Sequence, residues 1–189
     1  MSRALILDHI VDVIADRGLS GLTVRAVASS AGVAVGAVQH YYPSKTAMLL
    51  AAMDVIRPNL TGTHVEVVAR SPADQRLRDA VNQTLPADPS SRIDRVWLAF
   101  AAHSTADEVV GAKYHELRGL TRQEFAILFL AAVPLASLDK CREMSQELVS
   151  LLDGLTVTLL AEPGQLSRAM AAEIATRHVD SLLSRLNEE

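Results

Sequence analysis

The sequence predicts an all-α protein, and three of its features carry that expectation. Apolar residues recur three and four positions apart over long stretches, which places them on one face of a 3.6-residue helix. Glycine, proline and capping residues punctuate these stretches at intervals of about one helix length. No segment holds a period-two alternation bounded by hairpin residues, so no sheet is expected. With 189 residues, 49% of them hydrophobic and 21% charged, the chain can fill one good core, or a small module joined to a larger one.

The first helix is read from Leu5/Ile6, Ile10 and Val13/Ile14, which line one face. It ends at Arg17 because Gly18 follows, where a left-handed cap suits only glycine cheaply. Thr23 caps a second, short helix running to about Ala31, Gly32 breaks it, and a third runs from Val35 to about Tyr42. Pro43-Ser44 marks the next boundary, with Ser44 capping a fourth helix that begins at Lys45 and ends or kinks near Pro58. Ser71-Pro72, a cap followed by a first-turn proline, opens the fifth, which ends near Leu85. Ser90 or Ser91 opens the sixth, containing Trp97 and Phe100. The seventh covers roughly 109–133 and the eighth roughly 138–161. Glu162-Pro163-Gly164 is the sharpest late break, and a ninth helix runs to about Leu186. Two domains are expected, one at 1–48 and a larger one at 49–189.

Composition excludes several classes of protein. No apolar stretch approaches the roughly 20 residues of a membrane span. Asp8, His9, Asp12 and Asp16 interrupt the N-terminal apolar residues, so no signal peptide is read there. The single Cys141 closes no disulfide within the chain and supplies no thiolate-rich zinc site. A cytoplasmic protein is therefore expected. Lys45, Lys113 and Lys140 lack the glycines of a phosphate-binding loop, and no Gly-x-Ser-x-Gly elbow is present. None of the six histidines follows a glutamate by three residues, as a carboxylate-bridged metal bundle requires. Neither catalysis nor a metal or other cofactor is expected. The net charge of −4 divides unevenly: residues 1–57 carry five cations against four anions, and the remainder carries the acidic excess. That asymmetry has the sign DNA requires at the N-terminal end, but it is small.

The segment from Thr23 to Tyr42 is the informative one. Two short helices flank a tight turn at Gly32, with Val27, Ala28, Ala31, Val33 and Val38 placed to lock them together. Gly36 lies inside the second helix, at a cost of about 1 kcal/mol against alanine. Such a glycine suggests that another surface must approach closely. Gln39, His40, Tyr41 and Tyr42 crowd the end of the helix. This is the layout of a helix-turn-helix, whose second helix enters the major groove.

In these residues the chain resembles the TetR family. Arg17-Gly18, Thr23, Ala31-Gly32-Val33, Gly36, Tyr41-Tyr42 and Pro43-Ser44-Lys45 follow the family's order and spacing over about residues 4–53. Arg95-Val96-Trp97-Leu98-Ala99-Phe100 and Leu152-Asp153-Gly154-Leu155 look like the C-terminal domain of its BetI-like subgroup. The resemblance implies a DNA-binding transcriptional regulator, a ligand-released repressor that binds a palindromic operator as a homodimer. It implies phosphate contacts at Thr23 and Lys45, with Tyr41 against the backbone. Groove-facing positions fall on Arg25, Ala34, Val35, Gly36, Ala37, Gln39 and His40. Many relatives have Ser-Lys or Ser-Arg where this chain has Ala34-Val35, so its recognition helix is unusually apolar and lacks a cation. On such a helix Val35 or Ala37 suits a thymine methyl and Gln39 an adenine edge. Tyr42 is expected in the core.

For the larger domain the resemblance implies a cavity for a small, mostly hydrophobic effector, among the helices starting near 45, 72, 91 and 109. Trp97, Phe100, Phe125 and Phe129 are candidates to line it, with His103, Tyr114 and Arg118 as polar anchors. Cys141, Met144, Leu148, Leu151 and Leu155 alternate three and four apart, a seam suited to helix-on-helix packing. With Gly154, Ile174, His178 and Leu182 it is the expected dimer interface, an intramolecular core seam being the other reading. A helical small-molecule-binding protein whose helix-turn-helix no longer holds DNA stands as the alternative function.

Overall fold

A computed structural model of the chain describes residues 2–55 and 73–188. Among the described residues there are nine helices and no strand. They are α1 (Arg3–Gly21), α2 (Val24–Ala31), α3 (Val35–Tyr41), α4 (45–55, as far as it is described) and α5 (Ala73–Thr84). After these come α6 (Arg92–His103), α7 (Glu108–Ala132), α8 (Leu138–Ala161) and α9 (Arg168–Asn187). The expected boundaries at Pro58 and Ser71-Pro72 lie outside the described residues.

Side-chain caps start most of these helices. Thr23, Ser44, Ser91, Ser137 and Ser167 each accept a hydrogen bond from the backbone three residues on, and each satisfies one N–H that the helix leaves orphaned. Ser2 does the same for α1. Gly18 is left-handed in φ (63°) as expected, yet it kinks α1 instead of ending it, and helix resumes to Gly21.

The helices group into two compact units. One comprises the described residues of Met1–Pro58 with Ser90–Glu116, the other those of Asn59–Pro89 with Leu117–Glu189. In the first, α1 packs against both α2 and α6, and α2 against α3. α1 buries Ile6, Ile10, Val11, Val13 and Ile14, each worth about 1.5–3 kcal/mol when removed from water. Arg92 of α6 pairs with Asp12, and Arg95 donates to the Ala15 carbonyl at 3.4 Å. Asp107 joins three helices. One of its oxygens caps α7 by accepting from the Val110 N–H at 3.0 Å. The other accepts from Thr46 of α4 at 3.4 Å and lies 3.9 Å from His103 Nε2 of α6. Lys113 of α7 reaches Asp54 of α4 at 3.5 Å.

In the second unit α9 packs against α5 and α8. Its core holds Leu77, Val81, Phe125, Phe129, Cys141, Leu148, Leu152, Val179 and Leu182, with Ala171 and Ala175 giving α9 two small buried positions. Arg78 pairs with Asp180 at 2.6 Å, and Ser145 donates to the Arg122 carbonyl at 2.6 Å. Burial divides the residues of the α8 seam. Met144, Leu148, Leu155 and Leu182 are 5%, 0%, 7% and 0% exposed inside a single chain. The chain's own helices cover these four, as the intramolecular reading of the seam expects of them. Of that set, Leu151, Ile174 and His178 are half-buried and Gly154 is exposed. Val157 of α8 and Met170 of α9 join them as exposed apolar residues.

Candidate functional site

The helix-turn-helix is built from local rules. Thr23 Oγ1 accepts from Ala26 N–H at 3.1 Å and starts α2. Gly32 adopts φ 66°, ψ 37°, and its neighbour Val33 donates back to the Ala28 carbonyl at 2.9 Å. That left-handed cap turns the chain within three residues, and α3 begins at Val35. Val27, Ala28 and Val38 are buried between the helices. Tyr42 is 1% exposed, as expected of a core residue. Its hydroxyl donates to the Arg3 carbonyl at 3.4 Å, and the Arg3 guanidinium lies 5.6 Å over its ring. His9 Nδ1 and Ser30 Oγ, 3.0 Å apart, join α1 to α2.

This packing leaves one surface free. Thr23, Arg25, Ala34, Val35, Gly36, Gln39, His40, Tyr41 and Lys45 are all exposed, and Ala37 is half-buried. A Cβ built at Gly36 meets nothing within 4 Å, so packing inside the chain does not demand glycine there. Ala34 stands at the N-cap of α3 without a side-chain hydrogen bond, unlike the caps of its neighbours. His40 meets Tyr41 edge-on at 5.0 Å.

The candidate effector residues fall into two groups. In the first unit Trp97 stacks on Tyr114, with ring centroids 5.4 Å apart and 25° between planes, and Phe100 lies 6.1 Å from both. His103 follows one turn on and faces Asp107. In the second unit Phe125 and Phe129 are buried in the core. Arg118, 7% exposed, is engaged by Asp153 in an ion pair that sequence reading did not foresee. Burial raises the Asp153 carboxyl above its usual range, and the Arg118 guanidinium draws it part of the way back. Burial also lifts the Glu124 carboxyl of α7 from 4.5 to about 7, and pushes the Cys141 thiol up. On α8 and α9, Glu147 receives Arg185 at 2.9 Å, and His178 Nε2 lies 3.3 Å from it without hydrogen-bond alignment.

Two family models match the chain. Residues 6–52 match the bacterial regulatory proteins of the tetR family, and residues 73–184 match the C-terminal domain of BetI-type transcriptional repressors. The chain belongs to the TetR family. It is a DNA-binding transcriptional regulator with the BetI-type C-terminal domain. It is 30% identical over 185 residues to the HTH-type transcriptional regulator BetI of Burkholderia cenocepacia (strain HI2424), an alignment that covers 96% of this chain and 94% of that one. Two solved structures share the fold. A transcriptional regulator from Rhodococcus sp. Rha1 superposes with a TM-score of 0.87 at 24% identity, covering 97% of each chain. A protein from Saccharomonospora viridis, solved in complex with choline, gives 0.85 at 21% identity, covering 94% of this chain and 95% of that one. No helix among the described residues is long and apolar enough to cross a membrane.

Proposed function

We propose that the chain is a ligand-released repressor, acting in the cytoplasm, whose homodimer binds a palindromic operator. Residues 1–48 read DNA, and residues 49–189 supply the effector and dimer surfaces. The observation that carries the DNA reading is the exposed face of α3 with Thr23, Tyr41 and Lys45 around it, left bare by a packed helix-turn-helix. Thr23, Lys45 and Tyr41 contact phosphate and backbone, while Arg25 and the α3 face enter the groove. The dimer uses the α8–α9 face bearing Leu151, Gly154, Val157, Met170, Ile174 and His178, which the chain itself leaves uncovered or half-covered. Two-fold pairing then sets the recognition helices about one turn of DNA apart, or slightly more.

The effector is a small, mostly hydrophobic molecule that meets the Trp97–Phe100–Tyr114 cluster. Stacked aromatic faces also suit an organic cation, and the choline held by the Saccharomonospora viridis protein supports a ligand of that size. A shift in DNA affinity requires that the effector bind one state better than the other. Fluorescence anisotropy on the DNA upstream of the chain's own gene, at two salt concentrations, tests the operator reading. Binding that weakens as salt rises supports it. No binding at low salt would leave a helical ligand-binding module. A thermal-shift screen of lipophilic and cationic compounds, with each hit returned to the DNA assay, tests release. Stabilising hits that all leave DNA affinity unchanged refute the release step.

A further inference from the structure

The exposed face of α3 departs from local rules in a way that specifies its target. Its seven residues, Val35 to Tyr41, include no lysine or arginine. The side chains that usually read guanine through its O6 and N7 are therefore absent from this helix. Val35, a β-branched apolar residue, is 40% exposed beside an N-cap that makes no side-chain hydrogen bond. A sequence selected for stability alone would place a serine, threonine or aspartate at Ala34 and a polar residue at Val35. Both choices suit a surface that becomes dry when it is covered.

The arrangement separates the candidates. With Val38 buried, successive steps of about 100° put Gly36 and His40 opposite it. Val35 and Gln39 form one flank, Ala37 and Tyr41 the other. Ala37 is half-buried, which takes it out of consideration for the methyl, whereas Val35 and Gln39 are both exposed. Residues four apart stand about 6 Å apart along the axis, so the pair spans one or two base-pair steps of about 3.4 Å each. Gly36, open on its outer side, lets the backbone come close enough for both short side chains to reach base edges.

We propose that Val35 and Gln39 are the sequence-reading pair of this chain. Each half-site holds a thymine whose C5-methyl packs on Val35, within one or two steps of an adenine hydrogen-bonded by Gln39. This rests on the operator-DNA reading above. The inferred specificity of α3 is for A·T pairs in the major groove, read by a methyl contact and an amide, with no charge contributed by that helix at the base edge.

The test uses the full-length protein and a duplex selected from a random-sequence pool, resynthesised with deoxyuridine for every thymidine. That exchange deletes only the C5-methyl groups. Losing one buried methyl costs roughly fourfold in affinity, so two half-sites lose on the order of tenfold. Val35→Ala, at an exposed position and checked for helicity, should bind thymine and uracil duplexes within about twofold of each other. Gln39→Ala should keep the methyl dependence while losing preference for adenine at one position per half-site. If the parent binds both duplexes tightly and equally, the methyl reading fails while the operator reading survives. If Val35→Ala retains the full thymine preference, the assignment to Val35 fails. If the pool yields no salt-sensitive duplex, the operator reading itself falls.

Discussion

Gly36 sits within a seven-residue helix, yet beyond its chain neighbours and the local helix backbone nothing lies within 4 Å of where its Cβ would stand. The fold gains nothing from glycine there and gives up about 1 kcal/mol of helix propensity. Gly36→Ala should therefore raise the melting temperature slightly while lowering operator affinity at least tenfold; unchanged affinity in an anisotropy titration would show that the groove does not come close. Lys45 is placed against the dipole of α4, whose N-terminus favours anions. Lys45→Ala should weaken binding to all duplexes alike and reduce the slope of log affinity against log salt by about one per protomer. A change in sequence preference would count against a phosphate contact. Glu124 makes a different prediction. Its carboxyl titrates near 7 in the folded chain against an ordinary 4.5, so the folded state binds more protons between those values. Stability then falls as pH rises through that window and levels off above it. Glu124→Gln should melt above the parent at pH 8, with the difference fading toward pH 4, and calorimetry at both pH values checks it.

At the scale of elements, most boundaries were legible because they are written in single residues. Thr23, Ser44, Ser91 and the Pro163-Gly164 break each act on backbone groups within a few positions. Gly18 was legible in conformation but not in consequence, since helix resumes after it. The α8 seam left two readings open for a physical reason. A three-four alternation reports that one helix face is apolar, and the same pattern serves a neighbour in the chain or a second copy. The Arg118–Asp153 pair was not legible, because Asp153 lies 35 residues away and no local pattern links them. Exposure separates the cases. Leu148→Glu should unfold the chain, since it buries an unpaired charge at a position with no exposure. Leu151→Glu combined with Ile174→Glu should keep the helices and yield monomers that no longer bind DNA. Light scattering with circular dichroism distinguishes the outcomes, and a folded dimer from the double variant would refute the proposed face.

The whole molecule is organised less linearly than its sequence suggests. The helix-turn-helix motif is contiguous from Thr23 to Tyr42, and its two helices and turn could be read from it directly. The body that supports it is not contiguous, because α6 and the first turns of α7 pack with α1 to α4. Asp107 is where α4, α6 and α7 meet, with the aromatic cluster of Trp97, Phe100 and Tyr114 on two of the same helices. On the proposed function, an effector that moved those rings would move the partners of α4. Asp107→Ala should therefore leave DNA binding within a few-fold of the parent while blunting release by any effector found, measured as the ratio of DNA affinities with and without it. Normal release from this variant would assign the coupling elsewhere.

That discontinuity also sets a schedule for synthesis. Asp12 and Arg92 pair across 80 positions, and at about 5–20 residues per second a ribosome needs roughly 4–16 s to make the chain between them. Through that interval α1 has been made while the helix that will cover its α6-facing side does not yet exist. The end translated first thus waits with an apolar stripe uncovered, and a fragment stopped after α4 should carry the same sticky stripe permanently.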